Sequence, residues 1–400
     1  MLKKSESIKI GLISTLVVLA ILCAVVFSKK SSQYNKKNDS RVLSTWDIDM
    51  TPQEKDIASW DSYIKKEDAM YIFKDGMIFK WDYKSTDYRP ACDDPACDHL
   101  TDECSARFSA AKYDRVTYYN DHWIFVQNSG NQSYYLGYCD FDGSNRKLVL
   151  DISDDIQGAA PLIYIHCVGG KVYISYNSSV SIQKDSEWVS AERTCLMKYD
   201  VSLIGSGKEY SKKIFSCDNE DYVVHLLSVD ENRFAVDVPE TRKKGESYLD
   251  CRIYDQDDLS FTTVKNARDV MLLSDGRYVA KKTDGLMLVD GDKIIRLDEE
   301  GWGVSYFDNN RIYAINSFGR QLKSEDKNSI IPDGEVRAYD YNGNLLDSIY
   351  LPKNYSLTDG IAAYDGRYYM TSIDFKTRSY FYVYDTQNPD KGWKKINRGY

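Results

Sequence analysis

Four side chains of marked chemical capacity fall close together: Cys92, Cys97, His99 and Cys104, in the spacing C-x4-C-x-H-x4-C. Thiolate sulfur and imidazole nitrogen are the ligands that tetrahedral zinc takes, so the group reads as a Cys3His site that would pin a loop lacking its own core. The spacing departs from the paired C-x2-C knuckle, and a disulfide is favoured over the metal site, with free thiols as a third reading. Three local cysteines cannot all pair among themselves. One would have to reach Cys139, Cys167, Cys195, Cys217 or Cys251, and with Cys23 set aside the eight remaining cysteines permit full pairing. Either ordered outcome is a structural staple. Cys167 and Cys251 sit in apolar, strand-like runs, where a cysteine serves as a small buried hydrophobe.

No catalytic residue emerges. There is no G-x-S-x-G elbow, no P-loop, no H-E-x-x-H and no G-x-G-x-x-G turn. His122, His166 and His225 are isolated on or beside strands and read as satisfied core histidines. Aspartates are abundant but fall mainly in turns, where the carboxylate bonds local backbone N–H groups. The Asp-rich runs 151–155 and 255–258 do not match a calcium loop. A net charge of −9 argues against a nucleic-acid surface.

The elements that must carry these residues are β-strands. Tyrosine is 33 of 400 residues and proline only 8, the composition of pleated, half-buried surface rather than helix. Two marks recur. A tight turn leads into an apolar strand at Asp121-His122-Trp123, Gly170-Lys171-Val172, Asn232-Arg233-Phe234, Gly276-Arg277-Tyr278, Asn310-Arg311-Ile312 and Gly366-Arg367-Tyr368. A hydrophobic residue followed by Asp closes another strand at Asp82, Asp142, Asp200, Asp255, Asp290, Asp340 and Asp385, 35 to 60 residues apart. That period holds about four short strands, the blade of a β-propeller. The expected fold is therefore an all-β propeller, most simply of seven blades, with six or eight as alternatives. The units run at about 61–112, 113–160, 161–220, 221–267, 268–300, 301–355 and 356–400. Trp46–Met50 is a candidate strand for the closing blade, and the insertions 178–192 and 318–334 are expected as rim loops.

The domain is preceded by a nine-residue basic tail, an uncharged run from Ile10 to Phe27, and a polar tether over 28–45, with the propeller assigned to 46–400. Eighteen apolar residues make about 27 Å of helix, close to the ~30 Å core of a bilayer. No small-residue cleavage site ends the run, so it reads as an uncleaved signal-anchor; processing as a lipoprotein at Cys23 is the alternative. Lysines flank both ends, and the short basic tail places the propeller outside the cytoplasm.

On two stretches the chain resembles a loose group of uncharacterised β-propeller proteins of Gram-positive anaerobes, often lipoproteins or single-pass anchored. One is Tyr138-Cys139-Asp140-Phe141-Asp142-Gly143-Ser144-Asn145; the other is the insert Cys92-Asp93-Asp94-Pro95-Ala96-Cys97-Asp98-His99, ending at Cys104. The resemblance implies a fold and a surface location and carries no activity. The leading functional expectation is a membrane-anchored module that binds an unidentified protein or glycan ligand. The alternatives are an extracytoplasmic enzyme acting on glycans or peptides, and a sensor or accessory subunit of a membrane complex.

Overall fold

A computed structural model describes residues 40–51, 62–109, 112–239, 249–299, 303–307, 311–316, 334–351, 357–364, 367–374 and 378–398. The apolar run Ile10–Phe27, the tail before it, tether residues 28–39 and all but the last residue of the insertion 318–334 lie outside the described residues. Among the described residues no helix is long and apolar enough to cross a membrane.

Strand follows strand in antiparallel meanders. The first comprises β1 (Ser62–Lys65), β2 (Ala69–Lys74), β3 (Met77–Asp82) and β4 (Asp87–Pro90). The second holds β5 (Tyr113–Tyr119), β6 (His122–Asn128), β7 (Tyr134–Asp140) and β8 (Lys147–Asp151). The third holds β9 (Ala159–Val168), β10 (Lys171–Lys184), β11 (Glu187–Tyr199) and β12 (Ser211–Asn219). A continuous sheet follows, of β13 (Leu226–Val229), β14 (Arg233–Val238), β15 (Leu249–Asp255), β16 (Phe261–Leu272), β17 (Tyr278–Lys282), β18 (Gly285–Asp290) and β19 (Lys293–Asp298). The last two meanders are β20 (Gly303–Phe307), β21 (Arg311–Asn316), β22 (Glu335–Asp340) and β23 (Leu345–Tyr350), then β24 (Leu357–Tyr364), β25 (Arg367–Asp374), β26 (Arg378–Asp385) and β27 (Trp393–Arg398).

Burial shows how the meanders pack. Middle strands are buried on both faces, as Val172–Tyr176 of β10 and Gly285–Val289 of β18, because a neighbouring sheet covers each side. Last strands such as β19 and β23 are mostly exposed. First strands neighbour one another, β1 beside β5, β5 beside β9 and β20 beside β24. The ends then meet: β27 pairs in parallel with β4 at Asn397–Asp87 and Arg398–Tyr88. One core cluster accordingly joins Trp81 and Trp123 to Tyr313, Tyr368 and Ile396. A succession of four-stranded sheets packed face to face and closed end to end is a β-propeller.

The two sequence marks face each other across one ladder. The turn mark opens the second strand of a meander and the Asp mark closes the third, except in the second meander, where Asp142 lies two residues beyond β7 and His122 faces Asp140. Register then sets Arg233 opposite Asp255, Arg311 opposite Asp340 and Arg367 opposite Asp385. Opposite charges across an antiparallel pair are mutually stabilising, and Lys171–Asp200 forms the same kind of pair at 2.5 Å. The Asp also begins the turn, as expected: Asp340 accepts from the N–H groups of Asn342 and Asn344, each at 2.8 Å. The short interval between Asp255 and Asp290 has its own cause. Phe261–Val264 of β16 pair with β15, whereas Ala267–Leu272 pair with β17, so one strand serves two meanders. Asn266, at φ +52°, supplies the kink between them.

Trp46–Met50 does not join the closing meander. Residues 40–51 lie along β8: Val42 bridges Leu150, and the Leu43 N–H donates to the Val149 carbonyl at 2.8 Å. Trp46 packs edge-on against Tyr138, and Met50 is buried among Tyr119, Ile124 and Val126. Arg41, read in the sequence as tether, donates to the Asp151 carbonyl at 2.8 Å and to both carboxylate oxygens of Asp155. The insertion 178–192 is likewise ordered, as the distal part of the β10–β11 hairpin rather than a loop.

Candidate metal centre

The cysteine-rich insert links β4 to β5 without a strand of its own. Short turns shape it. The Asp94 carboxylate accepts from the Ala96 N–H and the Asp94 carbonyl from the Cys97 N–H, while the Asp98 carboxylate accepts from the Leu100 N–H. Cys104 N–H donates to the Thr101 carbonyl at 3.2 Å, and the Asp102 carboxylate takes both the N–H and the hydroxyl of Ser109. The returning end is stitched to β3: Ile78 N–H donates to Ala106 at 2.8 Å, and Phe108 N–H to Gly76 at 2.7 Å. Gly76 is at φ +71°, and a Cβ there would stand 2.6 Å from the Phe108 carbonyl oxygen.

These turns bring all four sequence-predicted ligands together. One ligand atom from each of Cys92, Cys97, His99 and Cys104 lies within 4.8 Å of every other, and His99 Nδ1 is 3.4 Å from Cys104 Sγ. In a zinc tetrahedron with bonds near 2.3 Å the ligand–ligand edges are about 3.8 Å, so a small contraction suffices. All four corners are protein side chains, which is the closed form of a structural site. Cys104 is 2% exposed, while the other three are half-buried.

Burial and backbone donors set the environment of the sulfurs. All eight described cysteines are free thiols in this structure. Each of the three clustered sulfurs accepts a backbone N–H from two residues further on: Cys92 from Asp94, Cys97 from His99 at 3.4 Å, and Cys104 from Ala106. Amide donors aimed at sulfur stabilise thiolate, the form that binds a metal. Burial pushes the Cys104 thiol up to about 12 against the donor from Ala106. At Cys92 burial raises the thiol too, but the Asp94 N–H and the Ser105 side chain bring it below its ordinary value. Three thiolates, a neutral imidazole and Zn2+ sum to one negative charge. Arg107 stands beside them, donating to the His99 carbonyl at 3.3 Å, and its buried Nε has no hydrogen-bond partner.

Other sequence candidates are dispersed. Cys139, Cys195 and Cys251 are buried in strands, as expected of small hydrophobes, whereas Cys167, for which the same was expected, and Cys217 are only half-buried. His122 bonds the Asn120 carbonyl at 2.7 Å, and burial depresses His166 to about 4. His225 differs from the isolated residue expected: Nδ1 is 2.9 Å from the buried carboxylate of Asp237. Arg146 was not identifiable as a neighbour of the metal group, because it is 42 residues from Cys104 and comes from the next meander.

No known protein family matches the chain, and no curated protein does. Solved structures similar to it include the β-propeller domain of the Trilobed protease from Pyrococcus furiosus, 12% identical, TM-score 0.47, over 84% of this chain and 98% of that one. Acylaminoacyl peptidase of Pyrococcus horikoshii is 12% identical with TM-score 0.46, over 82% of this chain and 51% of its own. An uncharacterised protein from Listeria monocytogenes is 10% identical with TM-score 0.44, over 85% and 95%. This chain spans about half the length of that peptidase. The likeness is loose and carries no activity across.

Proposed function

We propose that the chain is a membrane-displayed β-propeller that works as a protein-interaction module, anchored by Ile10–Phe27 with the propeller outside the cytoplasm. We count seven blades, β16 closing the fourth and opening the fifth. The observation that carries the interaction role is the β10–β11 hairpin. Pairing with β9 ends at Ser179 and pairing with β12 at Glu192, so Val180–Lys184 and Glu187–Ser190 extend past both neighbours as a two-stranded arm, with Ala191 buried at its base and Lys184 ion-paired to Glu220. Five residues at ~3.4 Å each take it about 17 Å past its neighbours. Trp188 near the tip is 71% exposed. Both edges of the arm carry unpaired main-chain groups, which favours an extended polypeptide partner over a glycan. The test is a photo-crosslinker at position 188 in the full chain in its own membranes, with one at exposed Leu346 as control. A discrete adduct from 188 alone, competed by soluble wild-type domain and not by Trp188→Ala, supports the reading; no adduct, or the same adducts from both sites, refutes it. A cysteine introduced at exposed Asp185 and labelled by an impermeant reagent in intact cells tests the side of the membrane.

The cysteine insert, on this reading, holds one zinc ion through Cys92, Cys97, His99 and Cys104. The support is the set of three N–H donors on three sulfurs, which a disulfide would not need.

One observation favours the enzyme alternative. His225 has Nδ1 on a buried carboxylate and an exposed ring, the arrangement of a base and its orienting acid. Peptide turnover abolished by Asp237→Asn would establish that reading over the binding one.

A further inference from the structure

The first and second meanders meet directly, Phe73 against Trp123 and Tyr71 against Phe141, and the cysteine insert adds a second set of contacts. Phe108, at the returning end of the insert, is 2% exposed. Its ring meets Phe73 of β2 and Phe125 of β6, each with centroids 5.7 Å apart, so it is wedged between the two sheets. From the β7–β8 turn, Arg146 reaches across. Its guanidinium lies 4.0 Å from the Phe108 ring centroid and donates to the carbonyls of Ser105 and of Arg107, the latter at 2.6 Å. Gly143, in the same turn at φ +86°, approaches so closely that a Cβ would stand 2.1 Å from the Ser105 carbonyl oxygen. Every one of these contacts involves residues 105–108, immediately after the ligand Cys104.

We propose that zinc bound by Cys92, Cys97, His99 and Cys104 is the lock of this seam: the metal fixes residues 104–108 in the shape that Arg146 and Gly143 of the next meander grip. This rests on the zinc reading above and adds to it a mechanical role and two positioning residues, Arg146 and Arg107. The insert has few regular backbone bonds of its own: its turns, the Asp102–Ser109 bonds and the two ladder bonds to Ile78 and Gly76 hold its return path, and a metal adds a restraint at Cys104 itself. Metal uptake replaces the thiol protons of the three cysteines with one ion and releases them to solvent. Arg107 offsets the single negative charge left on the centre, and Arg146 carries the restraint across the seam by bonding the Ser105 and Arg107 carbonyls. The outer edge of the ring is joined at its other end by the two-residue pairing of β27 with β4, so this seam lies next to the closure.

The experiment is hydrogen exchange read by mass spectrometry on the full-length chain in detergent, zinc-loaded and after chelation, and on an Arg146→Gln variant. Zinc content is measured on each sample. The expected result is at least tenfold faster exchange at Ile78 and Phe108 after chelation, with β10 and β11 unchanged. Arg146→Gln reproduces the faster exchange at Phe108 while retaining its zinc. If zinc binds but chelation leaves Ile78 and Phe108 protected, the lock is refuted and the zinc site stands. If Arg146→Gln leaves Phe108 as protected as wild type, Arg146 has no part in the lock. If no zinc binds at all, the underlying reading falls with it.

Discussion

Replacing Arg41 by alanine tests whether residues 40–51 belong to the folded domain. Side-chain exposure is 11% for Arg41 and 13% for Asp155, so the pair is nearly buried. Arg41 also holds the Asp151 carbonyl, and Tyr199 donates its hydroxyl to Asp155 at 2.8 Å. Breaking a buried pair by removing one partner costs about 3–5 kcal/mol, because the other charge is left uncompensated. Here Tyr199 remains as a donor and a tenth of the pair is wet, so the expected loss is about 2–3 kcal/mol. At ~2.1 cal/mol/K per residue, a domain spanning 62 to 398 has an unfolding entropy of roughly 0.7 kcal/mol/K, and Tm falls by about 3–4 °C. Urea titration of wild type, Arg41→Ala, Asp155→Asn and the double variant measures both the loss and the coupling. Exchange at the Leu43 amide, bonded to Val149, reports release of the segment. A loss below ~0.5 kcal/mol with Leu43 still protected would refute the docked segment as a structural part of the domain.

Three further outcomes follow. Gly143→Ala forces a Cβ against the Ser105 carbonyl at positive φ and should cost about 2–3 kcal/mol, read by thermal melting; an unchanged Tm would mean the turn moves freely. His166 has its folded value depressed to about 4 by burial, below the ordinary ~6.5, so its contribution is complete above about pH 6.5 and is lost as pH falls toward 4. Because the ring is only half-buried, the part sensitive to His166→Gln should be about 1–2 kcal/mol; parallel wild-type and variant profiles between pH 7 and 4.5 would contradict this. Asp298, 7% exposed, accepts two bonds from Arg337 and one from Tyr339, and Asp298→Asn should cost about 2–3 kcal/mol in urea unfolding; a variant within ~0.5 kcal/mol of wild type would remove that network from the account.

Strand class and repeat were legible because both depend on local chemistry. Asn, Gly or Asp makes the turn into the second strand, and the Asp after an aromatic or, at Val289, an aliphatic residue makes the turn out of the third. Their relation was not legible, since only register reveals that Arg233 lies opposite Asp255 and Arg367 opposite Asp385. The double duty of β16 was hidden for a similar reason: nothing in Phe261–Leu272 marks a change of partner except Asn266, one residue whose tolerance of positive φ goes unnoticed in a strand. The metal group was readable as a set of ligands but not as a preference, because disulfide and metal ask for the same cysteines. The donors from Asp94, His99 and Ala106 are backbone groups and leave no trace in residue type. Arg41 looked like one more charge in a polar tether until its partner, 114 residues away, was in view. Trp188 was one of many aromatics until its hairpin proved longer than the strands beside it.

The most direct measurement is the metal content of the purified full-length chain, by elemental mass spectrometry, for wild type and for Cys97→Ser, with thiol titration of the unfolded protein in parallel. The account predicts one zinc ion per wild-type chain, little or none in Cys97→Ser, and reduced Cys92, Cys97 and Cys104 in both apart from the substituted residue. Zinc-free wild-type protein with two of those three cysteines joined in a disulfide would contradict it.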